Sequence, residues 1–222
     1  QVDTAEFSGT GARERLENPA WLGPRALRHE QVIVAAMRTS PVLPVRFGTI
    51  FSSPQALASA LKGHAGLIST FLAETAGSSE WLLKGYLNRP LARPAILAAR
   101  LDAEKDQLAG LAPGKRYLLE QKIKETVDRT TALWLRQTAE DMMQSIQQAS
   151  WPYRDGRLFG RDVTGGDEDI FFHGALLVPD AALKTLQRMT AEWQTRHEPR
   201  GLSFRLSGPW PPYHFAPVLG AT

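Results

Sequence analysis

The chain of 222 residues contains no cysteine. Disulfides, thiolate zinc sites and a cysteine nucleophile are excluded by that alone, and a cysteine-free chain fits the cytosol. Long apolar runs are lacking too: none approaches the roughly 18–20 residues of a membrane-spanning helix, and no signal peptide is visible. Charge of one sign is equally scarce. Lys and Arg number 26 against 23 Asp and Glu, a formal charge of +3. The two signs read as interleaved along the chain, and even the densest basic stretch, Arg89 to Arg100, is diffuse. Nucleic-acid binders concentrate such charge in a patch or stripe, so neither a nucleic-acid partner nor a membrane is expected. The chain opens at Gln1, without Met, in a polar stretch, and residues upstream of it are expected to be missing.

Apolar residues make up 43% of the chain and charged ones 22%, enough apolar side chains for cores in one large or two small domains. Pro24 sits well as a helix start, and the pattern that follows is amphipathic to about Arg38. Ser40-Pro41 breaks it. Val42 to Phe51 is rich in Val, Phe, Ile and Thr and predicts a strand, with Pro44 assigning it to a sheet edge or a strand start. Ser53-Pro54 predicts a helix cap and a helix to about Ala76. Glu80 to Leu87 predicts a short strand. Residues 90–149 change character: two helical patterns flank the turn Ala112-Pro113-Gly114, the second running from Tyr117 to Ala149 with Leu119, Ile123, Val127, Thr130, Trp134, Met142 and Ile146 on its apolar face. Tyr153 to Phe159, Ile170 to Val178 and Leu202 to Leu206 predict strands, with a helix over Pro179 to Arg196 between the last two. The expected fold is α+β in two domains, an N-terminal α+β domain over 1–89 that lacks its first strand and a C-terminal ferredoxin-like domain over 150–222. A long antiparallel helical hairpin over 90–149 joins or bridges them.

Catalytic constellations are thin. His29-Glu30 lacks the second histidine of H-E-x-x-H and reads as helix surface. The five histidines have no ligand spacing, and His173 reads as a satisfied sheet residue. Asp167-Glu168-Asp169 offers carboxylates to a hard cation but lacks the further spaced ligands of a calcium loop, so a solvated turn is favoured. Gly9 and Gly11 match neither a dinucleotide fingerprint nor a P-loop, and no G-x-S-x-G elbow occurs. No catalytic residue, cofactor or metal is expected.

Two stretches carry more information. In GPWPPY, Pro209, Pro211 and Pro212 lack N–H groups and fix φ, which predicts that the strand over Leu202 to Leu206 stops and the chain leaves as a stiff, polyproline-like segment. Trp210 and Tyr213 then project to similar sides. They either pin the tail to its own domain or present a preformed docking surface to a partner protein. In VLPVRFGTIF, Arg46 stands among apolar neighbours, either snorkelling or paired to a carboxylate, or exposed on an edge beside Phe47 where another chain is recruited. Arg46, Phe47, Trp210 and Tyr213 are the candidate protein-binding residues.

RHEQVIVAAM running into PVLPVRFGTIF, then EWLLKGYL, PGKRYLLEQKIKE and the LSGPWPPYHF ending resemble, in order, stretches of the GvpF/GvpL family of gas vesicle proteins. They span Ala20 to Phe215. The resemblance implies the two-domain α+β architecture above and a non-enzymatic role in gas vesicle biogenesis. It implies an assembly factor or minor structural component, cytoplasmic and vesicle-associated, that binds the shell protein GvpA and other accessory proteins and limits shell-protein aggregation during nucleation and assembly. The alternative is an enzyme whose active site has no recognisable motif.

Overall fold

A computed structural model of the chain describes residues 4–7, 11–155 and 168–219. It combines helices with one four-stranded antiparallel sheet. The chain divides into two compact units, one formed by residues 1–80 with 209–222 and the other by 81–208.

The first unit is built from helices. α1 (Thr4–Phe7), α2 (Ala12–Glu17) and α3 (Pro19–Met37) follow one another closely. α3 begins one and a half turns before Pro24, because Asn18 supplies the cap: its Oδ1 accepts the Ala20 N–H at 3.0 Å. Pro19 then occupies the first turn, where no intrahelical donor is required. Pro24 lies inside the helix, costing one hydrogen bond of the ladder. The helix expected over Pro54 to Ala76 is two helices, α4 (Pro54–Gly63) and α5 (Ala65–Thr75), parted at His64. The His64 ring bonds back to the Ala60 carbonyl at 2.9 Å, which satisfies an orphan acceptor at the end of α4.

The strand expected over Val42 to Phe51 does not form. Pro41 and Pro44 have no N–H to offer a ladder. Gly48 turns the chain at a φ of +87°, a conformation glycine adopts without steric cost. The Thr49 backbone N–H and hydroxyl both donate to the Arg46 carbonyl, at 3.1 and 2.7 Å. Local bonding therefore closes a turn where the β-rich composition promised a sheet edge.

In the second unit, β1 (Ser78–Asn88) leads into α6 (Arg89–Ala103), α7 (Lys105–Ala109) and the long α8 (Pro113–Gln148). β2 (Tyr153–Asp155), β3 (Glu168–Pro179), α9 (Leu183–His197) and β4 (Leu202–Trp210) follow. The sheet order is β2-β3-β1-β4. β3 and β1 are therefore the inner strands, which explains the largely apolar run of Phe171 to Val178, interrupted by His173. β2 pairs antiparallel with β3, Tyr153 opposite Leu176 and Asp155 opposite Gly174. The remainder of the predicted strand, Gly156 to Phe159, lies outside the described residues. α8 folds back on α6: Ala92, Ile96, Val127 and Met142 share one core with Leu83, Leu176, Leu186 and Trp193, and Arg93 reaches Asp128 at 3.9 Å. The apolar face of α8 holds Ile123, Val127, Met142 and Ile146 as expected; Thr131 is buried there in place of the expected Thr130, and Thr138 completes it. Thr131 is tolerated there because its hydroxyl bonds the Val127 carbonyl at 2.8 Å.

β4 does not end at Leu206. It continues through Ser207, Gly208 and Pro209 to Trp210. An edge strand has one row of N–H groups outside the ladder, so a proline there forfeits no sheet bond. The edge is partly closed at Phe204, whose N–H is accepted by the Gln194 side chain from α9 at 2.9 Å.

Gly201 sets the approach of β4 to β1. Its φ is +80°, and a Cβ there would lie 2.8 Å from the Ala92 nitrogen and 2.9 Å from the Asn88 oxygen. Its own carbonyl accepts the Asn88 N–H at 2.8 Å. Gly201→Ala is expected to destabilise the fold by about 1–3 kcal/mol from backbone strain alone, with the clash adding to that; urea unfolding of the variant, compared with Gly85→Ala, measures it. In Gly85→Ala the new methyl meets the ring of Phe171 rather than backbone atoms.

Candidate functional site

A buried, hydrogen-bonded carboxylate lies in the first unit, where the C-terminal tail meets α3 and the start of β1. Glu80 is 1% exposed. A carboxylate so buried must be hydrogen-bonded to persist. Both of its donors come from one residue: the His214 backbone N–H reaches Oε2 at 2.9 Å and the His214 ring Nδ1 lies 2.7 Å from Oε1. Burial is the largest influence on Glu80 and pushes its pKa up, while the backbone and ring contacts of His214 pull it back.

One residue earlier, the Tyr213 hydroxyl donates to Glu30 Oε2 at 2.8 Å. Burial and the adjacent Glu30 push the Tyr213 pKa up, so the phenol keeps its proton and remains a donor at neutral pH. Glu30 Oε1 is buried without a partner among the described residues. The neighbouring His29 donates from Nε2 to the Val45 carbonyl at 2.9 Å and meets the Phe47 ring edge-on at 5.6 Å. His29 and Glu30 thus fasten, from consecutive positions on α3, the turn on one side and the tail on the other. The reading of this pair as helix surface is corrected: both are half-buried.

The four candidate binding residues divide accordingly. Arg46 is exposed at the turn. Trp210 is 38% exposed at the end of β4, not a buried anchor. Phe47 is half-buried against His29, and Tyr213 is engaged by Glu30. Of the two readings of the ending, pinning belongs to Tyr213 and His214, and Trp210 is the residue left at the surface. Glu80 and His214 were missed in the sequence. A signal existed for Glu30, which is the sole acid between Glu17 and Glu74.

The second unit holds an open groove of about 550 Å³ between α8 and the β2–β3 edge, bordered by Met143, Phe171, Tyr153, Asp155 and His173. The Tyr153 hydroxyl donates to Asp155 at 2.9 Å, and burial followed by Asp155 raises its pKa. A phenol held in that state is a poor base or nucleophile at neutral pH. Glu168 and Asp169 of the acidic triplet open β3 and Asp169 pairs with Arg89, which replaces the solvated turn by a strand; Asp167 lies outside the described residues. Among the described residues no group of His, Asp and Glu is arranged to hold a metal ion, and no helix is long and apolar enough to cross a membrane.

The pH dependence of the Glu80 contact has a definite sign. A carboxyl whose folded pKa is raised adds stability at low pH and loses it as the pH climbs through the folded value. The stability difference between Glu80→Gln and the parent chain is expected to move in favour of the variant as the pH rises from below the ordinary glutamate range towards neutrality. Denaturant titrations across that range report it; the opposite slope would mean that the His214 contacts outweigh burial. Tyr213→Phe, which leaves both Glu30 oxygens unpartnered, is expected to cost about 1–3 kcal/mol in the same assay.

The family model described as "Gas vesicle synthesis protein GvpL/GvpF" matches residues 1–217. Gas vesicle protein L of Haloferax mediterranei is 25% identical over 217 residues, covering 92% of this chain; the chain spans 65% of that protein's length. The crystal structure of gas vesicle protein GvpF from Anabaena sp. PCC7120 superposes with a TM-score of 0.60 at 17% identity, over 86% of this chain and 77% of that one. GvpF from Microcystis aeruginosa gives 0.57 at 17% identity, over 90% and 79%. These two likenesses are of fold.

Proposed function

Because this chain belongs to the GvpL/GvpF family of gas vesicle synthesis proteins, we propose that it serves gas vesicle formation as a non-enzymatic assembly factor or minor structural component in the cytoplasm and at the vesicle. It binds the shell protein GvpA and other vesicle proteins and limits shell-protein self-association during nucleation and assembly. The observation that carries this reading is the family match across residues 1–217. The exposed Arg46 and Trp210 support it as contact residues, since His29 holds the turn that carries Arg46 and Tyr213 and His214 hold the tail that follows Trp210. In the second unit, the chain order β1, helices, β2, β3, helix, β4 with sheet order β2-β3-β1-β4 supports a ferredoxin-like reading. In that reading β1 contributes an inner strand and the α6–α8 hairpin is the first crossover.

The alternative, an enzyme, would place its chemistry in the groove beside α8. The protonated Tyr153 and the groove's openness count against it.

The test is co-purification of the full chain with GvpA and the other vesicle proteins expressed together. Retention of GvpA is expected, and binding to none of them would sink the proposal. Arg46→Ala with Trp210→Ala is expected to weaken retention while the chain stays folded, Arg46→Ala alone changing stability by only about 0.5 kcal/mol, as for surface positions. A large loss of melting temperature without loss of binding would reassign Trp210 to the fold.

A further inference from the structure

The balanced charge of the whole chain conceals a local imbalance. Between Glu17 and Glu74 stand Arg25, Arg28, Arg38, Arg46 and Lys62 against Glu30 alone, and Glu30 is occupied by Tyr213. Arg25 is paired with Glu6 and stacked on Trp21. Arg46 and Lys62 are exposed and have no carboxylate partner among the described residues. Along the chain they flank four partly exposed apolar side chains, two after the turn and two on α4: Ile50, Phe51, Leu57 and Leu61 are 39–44% exposed. Leu57 and Leu61 lie one helical turn apart and share a face. No residue of α4 is buried. A ten-residue helix of this kind gains little from its own hydrogen bonds and depends on covering its apolar face.

We propose that these four side chains form an apolar strip, a docking surface for an amphipathic helix of a partner protein whose apolar face is flanked by Asp and Glu. Leucine-type side chains of the partner would cover Ile50, Phe51, Leu57 and Leu61. Its carboxylates would meet Arg46 at one end and Lys62 at the other. Charge complementarity selects this occupant: a basic helix would face like charges with nothing to offset them, and a neutral one would leave both cations without a partner. The proposal rests on the protein-binding reading above and adds the surface and the partner's chemistry to it.

Two synthetic helices test it, both with leucines at i, i+3, i+4 and i+7 and differing only in flanking glutamates or lysines, with binding to the full chain read by fluorescence anisotropy. The acidic helix is expected to bind about tenfold or more tightly than the basic one, and less tightly as salt is raised. Arg46→Glu with Lys62→Glu is expected to reverse the preference. Leu57→Ser with Leu61→Ser, at positions 39% and 44% exposed, is expected to abolish binding while the chain stays folded, as read by circular dichroism. Equal binding of the two helices, an unchanged preference after charge reversal, or capture by phosphatidylserine vesicles with neither helix bound would each overturn it. Retention of GvpA by the Leu57→Ser, Leu61→Ser chain, with loss of the acidic helix, would leave the assembly role standing and remove the strip as its GvpA-binding surface. Failure of the parent chain to retain any vesicle protein, with helix selectivity intact, would do the reverse.

Discussion

A buried carboxylate that draws both of its donors from one distant residue constrains the whole first unit. Glu80 is far along the chain from His214, yet the His214 backbone and ring meet both of its oxygens. Removing a charge from water costs several kcal/mol unless donors replace the lost solvent, so the tail cannot leave without exposing that cost. Pro211 and Pro212, both buried, make the approach stiff and restrict the conformations the tail would gain on release. Tyr213 adds a second attachment through Glu30. The C-terminal segment is thus a structural member of a unit otherwise made from the first 80 residues.

The same logic orders α3. His29 and Glu30 are adjacent and project about 100° apart around a helix, so they address different neighbours. One secures the turn at Val45–Phe47 and the other the tail. That leaves Arg46 free of a carboxylate on a turn whose backbone is closed by Thr49. Its exposure follows from how its neighbours are held.

Much of the second unit was legible in the sequence. Inner strands and the long helix announce themselves through apolar runs and a sustained stripe, and Ile123, Val127, Met142 and Ile146 lie where the periodicity placed them. Two failures have a common cause. At Val42–Phe51 β-propensity was outweighed by prolines and a glycine turn, because propensity is a weak prior against backbone geometry. At Pro209 the reverse held: the proline terminates a strand only if its N–H is needed, and whether it is needed depends on edge position, a property of the sheet and not of the segment. The site was illegible for a related reason. The partnership of Glu80 with His214 is non-local, and nothing at either position marks the other. An isolated histidine in a proline-rich tail reads as surface until the fold brings a carboxylate to it.

Charge illustrates how averaging hides function. Summed over the chain, 26 bases and 23 acids nearly cancel, and the interleaving read from the sequence holds well along α8, where Arg116 and Glu120 pair one turn apart. It fails from Asn18 to Ala73, where the one acid, half-buried Glu30, is engaged by Tyr213 and every other charged side chain is cationic. Exposed pairs such as Arg116–Glu120 contribute little to stability because water competes for both partners. Two cations left without carboxylates, flanking partly exposed apolar side chains along the chain, are a different matter. They add nothing to the isolated fold, and Coulomb attraction at a surface that excludes water on contact strengthens only when another molecule closes over it. The physical value of Arg46 and Lys62 is therefore realised in a complex, and so is that of Leu57 and Leu61, whose apolar surface remains in water until covered.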